Sequence, residues 1–271
     1  MLFEAGGDVR LVGEQSGEGA PIVLLHGLTA TRRYVVMGSR ALERSGHRVI
    51  AYDARGHGHS GPAPDPSAYT YELLADDLRV VLDELEVERA VLAGASMGAQ
   101  TALRFALDHP GRVEALGLIT PAFDPDATGD YLGWDRLAKG LREGGVEGFV
   151  AAYDLDPVPA DWRETVGKVL RQRLSRQDHP LAVADALETV PRSRPFESWQ
   201  ELGRIAVSTT IIASRDEADP GHPLAIGERY AAAIPRARLV VEEPGKSPIA
   251  WQGGQLSKVL GELGAQSAGK T

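Results

Sequence analysis

Val91-Leu92-Ala93-Gly94-Ala95-Ser96-Met97-Gly98-Ala99-Gln100 is the segment best suited to covalent chemistry. An apolar, strand-like run enters Gly-x-Ser-x-Gly, and an apolar helical pattern leaves it. On such a turn the serine hydroxyl stands above the sheet. Gly94 and Gly98 let strand and helix approach, and the Met97 N–H at the helix start points where an oxyanion would form. The pentapeptide alone arises by chance, and its plain reading is a capping serine in an ordinary turn; the flanking strand and helix make it a nucleophile signal. Two more glycine-bearing loops follow strand-like runs. In His26-Gly27-Leu28-Thr29 the Leu28 N–H is a candidate second oxyanion donor. In Asp53-Ala54-Arg55-Gly56-His57-Gly58-His59-Ser60 the side chains of Asp53, Arg55 and Ser60 can tie a compact loop together.

These loops need a scaffold. Ile22–His26, Arg48–Tyr52, Ala90–Ala93, Val113–Ile119, Thr209–Ala213 and Arg238–Val241 read as strands rich in Val, Ile and Leu, with the weak alternation of strands buried on both faces of a parallel sheet. Tyr71–Leu85 places Leu74, Leu78, Val81, Leu82 and Leu85 at helical spacing, and Met97–Asp108 forms a second helix stopped by His109-Pro110. The alternation predicts an α/β sheet with right-handed crossovers. From Asp124 to Trp199 helical patterns continue without a convincing strand, over about 75 residues, far more than one crossover needs. This reads as a helical insertion, with helices that merely pad the sheet as the alternative.

In this order, the three loops resemble those of the α/β-hydrolase superfamily, over nearly the whole chain. The resemblance implies a mostly parallel, eight-stranded sheet flanked by helices, with a core of residues 1–123 and 200–271 and a helical cap at 124–199. It implies a pocket between core and cap, Ser96 as nucleophile, and the N–H groups of Leu28 and Met97 as the oxyanion hole. It also implies an acid just after the strand Thr209–Ala213. Distance from the strand favours Asp216; the Asp-Pro-x-x-Pro leading into a helix at Leu224 favours Asp219, which is preferred.

The chain departs from the family at the base. Relatives carry a histidine after the last strand, but here Glu242-Glu243-Pro244-Gly245 is followed by Lys246, and no histidine follows His222. A serine hydroxyl is a poor nucleophile without an acceptor for its proton. His26 belongs to the oxyanion turn; His57 and His59 read as structural or exposed, and His47 as solvated. His109 ends the helix after Ser96, and His179 precedes a proline in the cap. His222, three residues after Asp219, can substitute as base; its plain alternative is packing at a helix start. Lys246 is the second candidate, otherwise a solvated loop lysine.

A chain that is 43% hydrophobic and 25% charged is not wholly disordered, and its net charge of −9 argues against nucleic acid or an anionic membrane as main partner. The absence of cysteine removes thiol nucleophiles and cysteine–zinc sites. The N-terminus lacks a signal-peptide pattern, and the most apolar runs fall far short of the ~18 residues needed to span a bilayer, so a cytoplasmic location is expected. The tail, residues 266–271, reads as a frayed end. No cofactor is expected, since no glycine-rich phosphate loop has dinucleotide spacing. No metal is expected, since Asp216, Glu217 and Asp219 read as loop acids. The leading function is hydrolysis of a small apolar ester, lactone or related acyl compound through a Ser96 acyl-enzyme. The alternatives are a catalytically degraded ligand-binding protein and a lyase or isomerase using the same pocket. Trp134, Trp162, Trp199, Tyr131, Tyr153 and Phe149 suggest an apolar or aromatic substrate, or the cap's own core.

Overall fold

A computed structural model describes residues 1–129 and 131–268; the end of the expected frayed tail, residues 269–271, lies outside the described residues. Eight strands, β1 (Leu2–Ala5), β2 (Val9–Ser16), β3 (Ala20–Leu25), β4 (His47–Tyr52), β5 (Ala90–Ala95), β6 (Val113–Ile119), β7 (Ser208–Ile212) and β8 (Ala237–Val240), form one sheet in the order β1-β2-β4-β3-β5-β6-β7-β8. From β4 through β8 all neighbours are parallel, whereas β1 and β2 pair antiparallel with each other and β2 with β4. The six apolar runs of the sequence coincide with β3 to β8. The pattern misses β1 and β2, which are joined by a tight turn with positive φ at Gly7 and Asp8. There, buried and exposed residues alternate, as expected of an outer antiparallel pair.

Helices cover both faces. On one side α2 (Tyr71–Glu84) and α3 (Met97–Asp108) bury Leu78, Leu82, Leu103 and Phe105 against Val23, Leu25, Ile50, Leu92 and Leu116. On the other, α1 (Ala41–Arg44) and α8 (Gly253–Ala268) set Leu42, Leu256, Leu260 and Leu263 on Ile22, Leu24, Val49, Val91, Ala115 and Ile212. Neighbouring residues of one strand thus enter opposite cores, which explains why the runs read as continuously apolar. Between β6 and β7 stand α4 (Leu132–Ala152), α5 (Ala160–Leu174) and α6 (Pro180–Thr189), followed by short 3-10 turns; α7 (Leu224–Ala233) lies between β7 and β8. The three helices of the insertion share a core of Ala138, Leu141, Phe149, Leu170, Leu174, Val183 and Leu187, against which Leu28 also packs. Trp134 and Trp162 are exposed, so the tryptophans do not converge on one pocket. No helix among the described residues is long and apolar enough to cross a membrane.

Histidine 47 corrects an expectation. It is buried at the start of β4, 6% exposed, with its ring Nδ1 3.2 Å from Ser45 Oγ. Its place in the sheet, opposite Ala20 of β3, rather than local sequence, seals it from solvent. The loop after β4 is tied internally through Asp53 and Ser60 as expected, but not through the Arg55 side chain. Ser60 donates to the Asp53 carbonyl (2.6 Å), and Asp53 accepts the N–H groups of Arg32 (2.8 Å) and His59 (3.1 Å). Arg55 instead reaches α2 and makes a buried two-pronged pair with Asp77 at 2.7 and 2.6 Å. Burial pushes the Asp77 carboxyl above its usual range even beside the guanidinium. Removing one partner leaves an unanswered charge in the core, so Asp77→Ala is expected to cost about 3–5 kcal/mol in urea denaturation. A loss below about 1 kcal/mol would mean that water reaches the guanidinium.

Candidate active site

Ser96 sits between β5 and α3 with φ 50° and ψ −111°, a backbone conformation unusual for a residue with a side chain. Its N–H donates to the Ile119 carbonyl (3.0 Å), and its own carbonyl accepts from Ala99 and Gln100 as the first turn of α3. Both flanking glycines are obligatory in the space available. A Cβ on Gly94 would overlap the backbone of Gly98, and one on Gly98 would overlap the Leu25 carbonyl of β3. Close approach of helix, nucleophile strand and central strand is the condition for the turn. Gly98→Ala is therefore expected to cost about 3 kcal/mol or more, measured by chemical denaturation, because the overlapping atoms are backbone and cannot swing aside.

Strand β3 lies directly beside β5, with Leu25 opposite Gly94, while β4 pairs on its other side. The chain thus diverges at the carboxyl ends of β3 and β5, where open α/β sheets leave a crevice. The loop leaving β3 meets the serine turn there: a Cβ on Gly27 would lie 3.4 Å from Ser96 Cβ. Leu28 follows, and the Met97 N–H stands at the N-terminus of α3. His26 braces this loop. Its Nε2 accepts from the Ala54 N–H (2.9 Å), so the ring proton sits on Nδ1, facing the Gly27 carbonyl at 2.9 Å. Gln177, just beyond α5, donates to the carbonyls of Thr29 (2.8 Å) and Ala30 (3.2 Å) and accepts from Gly58 N–H (2.6 Å). Nothing in the sequence marks Gln177, because its partners are far away along the chain.

The loop between β7 and α7 brings the acid and the histidine. Asp219 N–H donates to the Asp216 carbonyl (3.2 Å) and His222 N–H to the Asp219 carbonyl (3.1 Å), two successive turns that curl the segment over the sheet. His222 Nδ1 lies 2.8 and 2.9 Å from the two carboxylate oxygens of Asp219, and its Nε2 lies 2.8 Å from Ser96 Oγ. The side chains are 23% and 21% exposed, so the histidine and its acid are shielded yet reachable. With Nδ1–H facing the carboxylate, the free lone pair is on Nε2, aimed at the serine hydroxyl. Asp216 is engaged elsewhere, accepting from Ala218 N–H (3.0 Å) and Trp251 Nε1 (3.0 Å). Lys246 is exposed on the loop after β8, its N–H bonded to the Glu243 carbonyl. Glu242 of that loop is buried and accepts from Ser214 Oγ (3.2 Å) and Arg215 N–H, clamping the ends of β8 and β7 together. His109 packs on Phe105 at the far end of α3, His59 pairs with Asp178 at the surface, and His179 precedes α6.

Behind the loop after β3, the His57 ring lies 5.3 Å from that of His26, fully buried, with Nδ1 donating to the Arg55 carbonyl (2.9 Å). Burial first, and then the neighbouring His26, push His57 down to about 3. The native ring is therefore neutral while the unfolded chain takes up a proton near pH 6.5. Below that pH the unfolded state binds more protons, so this residue's contribution to stability falls continuously toward pH 3. Urea denaturation from pH 7 to pH 4 is expected to show a steeper loss for the natural chain than for His57→Gln, by up to about 1.4 kcal/mol per pH unit. Parallel slopes would show that the ring protonates in place.

Comparison with known proteins agrees with this geometry. Residues 20–253 match the family model described as alpha/beta hydrolase fold. A protein of Pseudomonas savastanoi pv. phaseolicola that bears the name carbamate hydrolase RutD is 31% identical over 235 residues, covering 85% of this chain and 88% of its own. The 2-hydroxy-6-oxononadienedioate/2-hydroxy-6-oxononatrienedioate hydrolase of Cupriavidus pinatubonensis is 30% identical over 249 residues, covering 86% and 82%. Among solved structures, a thermophilic esterase from Thermogutta terrifontis superimposes with a TM-score of 0.79 at 25% identity, over 98% of each chain. With the sheet order, the serine turn and the family match in agreement, the chain belongs to the α/β-hydrolase family.

Proposed function

We propose that this chain is a serine hydrolase that cleaves a small ester, lactone, carbamate or related acyl compound through an acyl-enzyme on Ser96. The observation that carries the reading is the continuous hydrogen-bonded line from Asp219 through His222 to Ser96, with Nε2 2.8 Å from Oγ. In this reading His222 takes the hydroxyl proton as Oγ attacks the carbonyl, and Asp219 holds the ring and stabilises the imidazolium. The Leu28 and Met97 N–H groups, beside the hydroxyl at a helix start, receive the developing oxyanion. His222 then passes the proton to the leaving group. A water, deprotonated by the same ring, releases the acyl group. The insertion acts as a cap, and its pinning by Gln177 keeps the oxyanion loop in register. The named activities of the relatives, a carbamate hydrolase, a dienedioate hydrolase and an esterase, support the breadth of acyl chemistry proposed.

Turnover of p-nitrophenyl acetate and labelling by a fluorophosphonate probe test the reading. Ser96→Ala is expected to abolish both. His222→Ala is expected to lower kcat by about 10⁴-fold or more, and Asp219→Asn by about 10³–10⁴-fold, the range for removing members of such a relay. Lys246→Ala should stay within about threefold of the natural enzyme, a change under 1 kcal/mol. Probe labelling without turnover would identify a ligand-binding protein with a residual nucleophile instead. A large loss in Lys246→Ala would transfer the base role to the lysine.

A further inference from the structure

Arg173, in the last turn of α5, is a half-buried cation that forms no ion pair with a carboxylate among the described residues. Its Nε is sealed from solvent and has no hydrogen-bond partner. The guanidinium lies 5.2 Å from the Trp251 ring centre and 5.9 Å from that of Tyr34. The contrast is with Arg55, which is fully buried and answered by both oxygens of Asp77. A shielded guanidinium keeps its charge and normally acquires an anion.

Its surroundings direct it at the catalytic centre. Burial pulls Arg173 below the usual arginine range, and the opposing pull comes first from Asp219, then from Tyr34 and Tyr153. The Tyr153 phenol in turn feels both Asp219 and Arg173. Geometry links Arg173 to the same region: its ring partner Trp251 donates to Asp216 in the loop that carries Asp219, and its own carbonyl accepts from Gln177 (3.3 Å). Both oxygens of Asp219 lie within hydrogen-bond distance of His222 Nδ1, and Asp219 makes no ion pair with the guanidinium. Nearby supports are rigid. Trp251 is held by its Nε1 bond to Asp216, Tyr34 by its hydroxyl bond to the Gln172 carbonyl (3.3 Å), and the end of α5 by the Gln177 anchor on the oxyanion loop.

We propose that Arg173 binds a carboxylate carried by the substrate, so that the preferred acyl compounds are anionic: half-esters or lactones that retain a free carboxyl group. The inference rests on the hydrolase reading and names the substrate class of the same site. A carboxylate matches the planar fork of a guanidinium, and the rings of Trp251 and Tyr34 flank that guanidinium.

The test is a charge-preference ratio: kcat/KM for mono-4-nitrophenyl succinate, glutarate and adipate divided by that for 4-nitrophenyl butyrate. The natural enzyme is expected to favour at least one half-ester by about tenfold or more, and Arg173→Met to lose that preference mainly through KM, as expected for uniform binding. Arg173→Lys should recover part of it. A ratio of one in the natural enzyme, or a ratio unchanged in Arg173→Met, overturns the proposal. Calorimetric titration with glutarate reads the carboxylate site without turnover. Binding lost in Arg173→Met supports it, and equal or absent binding in both proteins overturns it. Absence of Ser96-dependent turnover on neutral and anionic esters alike, with glutarate still bound through Arg173, would sink the hydrolase reading and leave the anion site standing.

Discussion

The backbone at Ser96 is the constraint from which the rest follows. A positive φ at a residue with a side chain costs about 1–3 kcal/mol, and it persists only where the surroundings leave no alternative. Here the surroundings are the carbonyls of Gly98 and Leu25, against which any side chain at Gly94 or Gly98 would collide. The same close approach sets β5 beside β3, opens the crevice at their carboxyl ends, and brings Leu28 and Met97 to the serine. The hydroxyl and both candidate amide donors are thus positioned by one packing event.

The proton relay is built on a different principle. Asp219 and His222 come from a single loop and are joined by local turns, so their mutual geometry depends on only a few residues. Their reach to Ser96 depends on β7 standing two strands from β5, with β6 between them. The loop after β8 carries Lys246 and no histidine, and its residues make other contacts. Glu242 there clamps two strand ends, and Lys246 points to solvent.

Two parts of the molecule divide the work. The sheet supplies the hydroxyl, the amides and the proton relay. The inserted helices supply what faces them: Leu28 packs into their core, Gln177 holds the loop after β3, and Arg173 places a charge on Trp251. Exchange of helices in the insertion can therefore change the ligand without disturbing the serine turn, a physical reason why one scaffold serves many acyl substrates.

The strands β3 to β8, the serine turn and the short spacing of Asp219 and His222 were legible from residue order, because each is a local pattern of apolar runs, glycines and turn residues. The outer pair β1 and β2 was not, since short alternating strands gain their identity from the neighbour they pair with. Tertiary structure alone decided between Asp216 and Asp219 as the partner of His222, and between His222 and Lys246 as the neighbour of Ser96. Those choices depend on which oxygen or nitrogen arrives within 3 Å once groups 126 positions apart in the chain have folded together. The burial of His47, the reach of Arg55 to Asp77 and the sealed, unpartnered Nε of Arg173 belong to the same category. A side chain's solvent exposure and its partners are properties of the packed sheet and helices, and no local spacing encodes them.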